Sequence, residues 1–381
     1  MKALGIVAEY NPFHNGHKYH IEKSKEVSAC SHVVCVMSGS FVQRGEFAIF
    51  NKWERAKSAL LNGADLVIEL PCYYVLQSAE NFAYGAVRVL NSLGIVDSMS
   101  FGSETDNLEK LSEISKIVNG NDKVYNDAFK NAIQSGLSYP VARSIALKKR
   151  SNSEFDKEIL SPNNLLGIYY LNALSKLGSN IKPYCIKRHK TLHNLQEQNE
   201  NFATASHIRN LIKEKNNYDD FIPSLNGYES TFFAENISDY ILGVLRYMPI
   251  DDNVIGFEVG MANYIKECAK SSSSLEEFYG KCATKRYTKS RIKRAVLASM
   301  IGMNEKKNMD YIRVLGFNKN GAKLLKEIKD KSQLDIVVKT ADFNIKNDSM
   351  FKYDILATDL AYFSSKDKNI GMDYKMSPIV L

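Results

Sequence analysis

The sequence predicts an α/β protein. Its amino-terminal part forms a doubly wound, Rossmann-like parallel sheet, and a mostly helical, basic domain follows. Three observations carry this reading. Four short strand-like runs alternate with stretches of helix length in the first hundred residues, the signature of βαβ units. The polar, glycine-bearing segments lie just past the ends of those strands, where ligands bind in such sheets. Positive charge gathers late: Lys281 to Lys331 holds 15 Lys or Arg against 4 Asp or Glu, a net of +11, which leaves the remaining 330 residues at −4.

Taken in order, Leu4 to Glu9 is an apolar strand and His17 to Val27 a helix. His32 to Met37, rich in Val, is the second strand. Asn51 can cap a helix that ends near Gly63, since its side-chain oxygen can accept a free amide of the first turn. Asp65 to Leu70 is a third strand, stopped by Pro71. Gln77 to Leu93 is a helix closed by Gly94, and Ser98 to Gly102 is the fourth strand. Helices dominate from Asp106 to Gly178. Ile181 to Arg188 reads as another strand, and a helix starts around Ala203 to Arg209. The chain turns polar from Asp219 to Gly227, which divides it into domains 1–222 and 223–381. Helices are expected at Ile255 to Ala269, Leu275 to Cys282 and Lys289 to Ile301. A strand–helix–strand unit follows at Tyr311 to Gly316, Ala322 to Lys329 and Ile336 to Lys339. There is no internal repeat.

The most informative segment joins the first strand to its helix: Glu9-Tyr10-Asn11-Pro12-Phe13-His14-Asn15-Gly16-His17. A helix start presents free amides and the positive end of a dipole, a ready anion site. Gly16 lets backbone approach a ligand, and His14 and His17 share one face. Two imidazoles there can stabilise charge developing on an α-phosphate. A metal is not favoured, because no Cys, Asp or Glu stands beside them at ligand spacing. Other segments gain weight from this one. Ser38 to Glu46 carries Gln43 and Arg44, which could position a carboxylate or phosphate. Lys52 and Arg55 are helical neighbours that either reach triphosphate oxygens or face solvent, with Trp53 between them. Gly102 to Glu104 follows a strand. Asn163 and Asn164 start a helix, Arg188 ends a strand, and Ser206 and Arg209 open a helix with a hydroxyl and a guanidinium that would suit β- and γ-phosphates.

At 381 residues the chain can bury a large core. Its six cysteines form no Cys-x-x-Cys pair and read as reduced thiols. With no signal-like start and no apolar run of spanning length, a cytoplasmic location and no membrane partner are expected. The basic stretch with Lys285, Arg286, Lys289, Arg291, Lys293 and Arg294 points to a polyanion, bound through phosphates.

The His-x-Gly-His turn resembles the nucleotidyltransferase superfamily, and Ser206-x-Ile208-Arg209 resembles the helix-start element of its nucleotide-adenylylating branch. The longer strings GIVAEYNPFHNGH, SGSFVQRGE, KWERAKSAL, ADLVIELP, QSAENFAYGAV, FGSE, SPNNLLG, IKR and TKRYTKSRIKR, in this order, resemble the tRNA(Met) cytidine acetate ligase family across almost the whole chain. Phe47, Thr105 and Tyr169 depart from the pattern at its flanks. The resemblance implies a nucleotidyltransferase-like catalytic domain in 1–222 and a tRNA-binding domain in 223–381. It implies an enzyme that makes acetyl-adenylate from acetate and ATP, then acetylates the wobble cytidine of elongator tRNA(Met). His14 and His17 would be catalytic. ATP would be bound by Val7, Ala8, Glu9, Tyr10, Asn11, Pro12, Phe13, His14, Asn15, Gly16, His17, Lys18, Tyr19 and His20, with Gly102, Asn163, Arg188, Ser206 and Arg209. Mg²⁺ is expected with ATP, with no protein ligand assigned. The alternative reading is a nucleotidyltransferase acting on a small phosphorylated metabolite, which leaves the basic stretch without a purpose.

Overall fold

A computed structural model describes every residue except 121, 138, 152–160, 189–201, 224–227 and 229. Its strands are β1 (Ala3–Ala8), β2 (His32–Ser38), β3 (Phe41–Val42), β4 (Glu46–Phe47), β5 (Leu66–Leu70), β6 (Val96–Ser103), β7 (Lys182–Lys187), β8 (Tyr311–Phe317), β9 (Asp335–Val337) and β10 (Ile379–Val380). The helices in the first part are α1 (Asn15–Ser28), α2 (Lys52–Leu61), α3 (Cys72–Val75), α4 (Ala79–Ser92), α5 (Leu108–Asn119), α6 (Lys123–Gln134), α7 (Tyr139–Ser151), α8 (Pro162–Lys176) and α9 (Ala205–Lys213). Those that follow are α10 (Ser238–Tyr247), α11 (Met261–Lys270), α12 (Leu275–Cys282), α13 (Lys289–Met300), α14 (Lys319–Lys331), α15 (Phe351–Phe363) and α16 (Met372–Lys375). No described helix is long and apolar enough to cross a membrane.

The central sheet runs β10-β8-β5-β2-β1-β6-β7, with β9 also paired to β8. β1 sits between β2 and β6, all parallel, with Val7 beside Val36 and Ile6 beside both Cys35 and Ser100. Residues 33–38 of β2 and all of β5 are buried, as expected of strands covered on both faces. The expected strands fall within about two residues of the observed ones. Asn51 does cap α2, accepting the Glu54 N–H at 2.9 Å. Two helices start later than the sequence suggests. Ser78 caps α4 after the separate turn α3. α11 begins at Met261 because Gly256 and Gly260 hold φ of +91° and +81° ahead of it.

The central sheet draws strands from both sides of position 222/223. β8, β9 and β10 come from the last 71 residues yet complete the sheet begun at Ala3, with β8 antiparallel to β5. The join is made fast by polar contacts. Asn318 donates to Asp65 Oδ1 (3.0 Å), while Asp65 Oδ2 accepts the Val33 N–H (2.9 Å). Deeper still, Lys52 Nζ lies 2.9 Å from both Glu69 oxygens and 2.9 Å from Asp373 Oδ1. Asp354 accepts the Cys72 N–H at 2.6 Å and the Tyr311 hydroxyl. Burial works against the Lys52 charge, but Asp373 and Glu69 outweigh it and hold its pKa above the usual value. Lys52 therefore does not face solvent, and its charge is paired with Glu69 and Asp373. It ties the end of the chain to its beginning.

Candidate active site

The site is built on the turn after β1. Tyr10 takes φ of 45° and redirects the chain, so that His14 becomes the N-cap of α1. His14 Nδ1 accepts the Gly16 N–H at 3.1 Å, and His17 Nδ1 accepts the His14 N–H at 3.2 Å. Two imidazoles thus form the reciprocal capping box that Ser and Glu usually supply. Behind them Tyr10 and Phe13 are buried, with ring centroids 4.9 and 5.5 Å from His17, and Tyr10 Oη pairs with Cys35 Sγ at 3.3 Å. Burial pushes the His14 pKa down to about 4, helped by the cations of Arg188 and Arg209. Burial, with His14, His20 and Arg188, holds His17 well below its usual value. His20 is likewise pushed down to about 4, and its Nε2 is buried without a partner among the described residues. Both capping rings are neutral near pH 7. Because Nδ1 accepts, the proton sits on Nε2 in each, leaving a pair of Nε2–H donors.

Other strand ends meet this turn. After β6, the Glu104 carboxylate accepts from Ser161 Oγ (2.6 Å), Asn163 Nδ2 (2.5 Å) and the Asn164 N–H (2.9 Å), while Asn164 Oδ1 accepts the Glu104 N–H (2.9 Å). Burial opposes the charge on Glu104, but these hydrogen bonds prevail and keep its pKa below the usual value. Arg188, past β7, donates to Asn163 Oδ1 at 3.0 Å and crosses Gly102, where a Cβ would stand 3.3 Å from its side chain. Gly102, Asn163 and Arg188 therefore form one wall. From α9, Arg209 donates to the Asn11 carbonyl at 2.8 Å, and the Asn11 side chain accepts the Ile49 N–H at 2.7 Å. Thr204, not Ser206, caps α9, and Ser206 is exposed on its first turn. Asn15 donates to the Asp220 carbonyl at 3.0 Å. Val7, Ala8, Gly16 and Tyr19 are half-buried, Pro12 is buried and Lys18 is exposed.

Opposite lies the hairpin β3–β4, closed by Phe41 stacked on Phe47 at 5.4 Å. Its turn carries Gln43 and the exposed Arg44. The Gln43 N–H donates to Glu9 Oε1 at 2.6 Å. Burial raises the Glu9 pKa despite that bond and the nearby Arg55, Arg209 and Arg44. Arg55 is wholly buried. It donates to the carbonyls of Glu9 (2.6 Å), Ser38 (3.1 Å) and Phe50 (3.1 Å), and to that of Gly39. A Cβ at Gly39 would stand 2.1 Å from Glu69 Oε1 and would push that carboxylate from its place beside Lys52.

The basic stretch divides in two. Lys285, Arg286 and Lys289 are exposed. Arg286 and Arg291, however, both bind Glu258, at 2.6 and 2.7 Å. The other two turn inward: Lys293 binds Glu46 at 2.5 Å, and Arg294 donates to the Gln43 carbonyl at 3.1 Å. The helix expected to be a free cationic face is, on this side, fastened to the site.

Glu258 and the carbonyl-clamping role of Arg55 escaped the sequence reading, which named Glu104 only as the end of the segment from Gly102. Glu104 had a signal in the FGSE string, since a carboxylate just past a strand end can cap a distant helix. Nothing local marks Glu258.

Compared with known proteins, the chain matches the family described as HIGH Nucleotidyl Transferase over residues 1–374. It is 40% identical to a tRNA(Met) cytidine acetate ligase of Thermoanaerobacter sp. over 395 residues, 98% of each chain. It is 41% identical to the protein of that name from Caldanaerobacter subterraneus over 401 residues, all of both chains. The crystal structure of Thermotoga maritima TmcAL bound with alpha-thio ATP superposes with a TM-score of 0.89 at 32% identity, covering 100% of both chains.

Proposed function

The chain belongs to the HIGH nucleotidyl transferase family as one of its tRNA(Met) cytidine acetate ligases, and from that premise we propose the reaction its site performs. Acetate attacks the α-phosphorus of ATP; a P–O bond forms, the bond to the β-phosphate breaks, and pyrophosphate leaves. The exocyclic amine of the wobble cytidine of elongator tRNA(Met) then attacks the acetyl carbonyl. A C–N bond forms, AMP departs with the electrons of the C–O bond, and the amine loses a proton, giving 4-acetylcytidine.

The observation that supports this best is the neutral His14–His17 pair, whose Nε2–H groups stand at the positive end of α1. Neutral donors fixed before the reaction stabilise developing oxyanion charge without reorganising. Arg188 and Arg209 add cations at the flanks, suited to the remaining phosphates. Gln43 and Arg44 lie on the hairpin turn, where they would hold the acetate carboxylate or a phosphate. We assign 1–222 to ATP chemistry, together with β8–β10, and the exposed cations near α13 to tRNA. Mg²⁺ would accompany ATP. No protein ligand is assigned to it.

The test supplies ATP, labelled acetate and bulk bacterial tRNA, then digests the RNA to nucleosides. Label in 4-acetylcytidine that requires ATP and is lost with His17→Ala is the expected result. Pyrophosphate exchange driven by a phosphorylated metabolite rather than acetate would replace this reading with a metabolite nucleotidyltransferase.

A further inference from the structure

We propose that Arg294 is a positioning residue for acetate activation, fastening the Gln43–Arg44 turn to helix α13; this rests on the reaction above. A hairpin with two residues per strand does not hold its own shape, so its turn depends on what it is fastened to. On one side the Gln43 N–H is held by Glu9 Oε1 at 2.6 Å. On the other, Arg294 donates to the Gln43 carbonyl at 3.1 Å and Lys293 binds Glu46 at 2.5 Å. Between them Gly45, at φ +76°, lies so close that a Cβ would stand 2.5 Å from the Arg294 backbone nitrogen. The backbone of Gln43 is thus held at its N–H by the loop that carries the histidines and at its carbonyl by the helix that carries the basic stretch. Glu9 is itself anchored, its carbonyl accepting from Arg55 at 2.6 Å.

Removing the Arg294 guanidinium frees the Gln43 carbonyl and lets the turn, with Arg44 at its tip, drift from the α-phosphate. A displacement of about an ångström at a positioning group costs on the order of a hundredfold in rate, and a partial release correspondingly less. The effect falls on the half-reaction that needs no RNA, which a tRNA contact would leave untouched.

The measurement is acetate-dependent ATP–pyrophosphate exchange without tRNA, beside the dissociation constant for tRNA. Arg294→Ala is expected to lower kcat/KM for acetate about tenfold while tRNA affinity stays within about twofold. Arg294→Lys, which keeps a donor, is expected to recover most of the loss. Normal exchange with weakened tRNA binding would overturn the proposal and make Arg294 an RNA contact. Equal losses toward ATP and acetate, with a lower melting temperature and no recovery by lysine, would reduce it to fold support. If Arg294→Ala is insoluble, Lys293→Ala cuts the neighbouring tie and carries the same expectation and the same refutations. Wild-type protein without acetate-dependent exchange would sink the reaction itself, and this proposal with it.

Discussion

The rings of His14 and His17 stack at 3.7 Å between centroids, and each ring accepts a backbone N–H through Nδ1. The contact is possible because neither ring is charged: two imidazolium ions so close would repel strongly. The motif is therefore a structural cap, and in the reaction proposed above it is a chemical tool as well.

A pH prediction follows. His14 and His20 have folded pKa values near 4, below the 6.5 of the unfolded state. Between these values the unfolded chain binds more protons, so stability is full above about pH 6.5 and is lost as pH falls toward 4. His14→Asn, which keeps an N-cap, is expected to make urea-unfolding stability less sensitive to acid in that window, by a few kcal/mol. An unchanged slope between wild type and variant would show that His14 is not held neutral. By the same logic the exchange rate is expected not to fall between pH 6 and 8 from histidine deprotonation.

Glu104 is expected to act on ATP through its partners. Glu104→Ala releases Asn163, and with it the anchor of Arg188. KM for ATP in the exchange assay should rise about tenfold with little change in KM for acetate. Glu104→Gln, which can still accept from the α8 amides, should lose less. Equal effects on both substrates would refute the assignment.

The basic surface carries a prediction about salt. Glu258 pairs with Arg286 and Arg291 and offsets part of their charge. Glu258→Gln should tighten tRNA binding severalfold at low salt and steepen its salt dependence. Lys285→Ala with Lys289→Ala should weaken binding and flatten that dependence by a slope of about two. Fluorescence titrations at several salt concentrations read both; a flat response in either would move the RNA elsewhere.

Arg55 should prove a pillar of the fold. Arg55→Leu strips donors from the carbonyls of Glu9, Ser38, Gly39 and Phe50 at once. A loss of at least about 3 kcal/mol in urea unfolding is expected. A loss below about 1 kcal/mol would mean that water replaces the guanidinium freely.

Much of this molecule is legible in its sequence because the relevant physics is local. The alternation of strand and helix, the Asn51 cap and the histidines at a helix mouth all declare themselves within a few residues. What stays hidden depends on partners far along the chain. Lys52 and Arg55 read as a cationic helix edge until Asp373, 321 residues away, and a ring of carbonyls enclose them. Arg294 looks like its exposed neighbour Lys289 until the turn at Gln43 reaches it. The strand–helix–strand unit from Tyr311 was visible as a pattern, but nothing in it said that β8 would run antiparallel beside β5.

That last placement bears on how the protein is made. While a ribosome is still synthesising the residues beyond 310, β5 is an open edge and Lys52 has only Glu69 for company. The anion-binding turn can form early, but the sheet beneath the hairpin cannot close until β8 arrives and Asp373 follows. The nascent chain must therefore carry a nearly complete nucleotide fold with an unsealed flank through most of its translation, a period in which chaperones or premature termination would be most keenly felt.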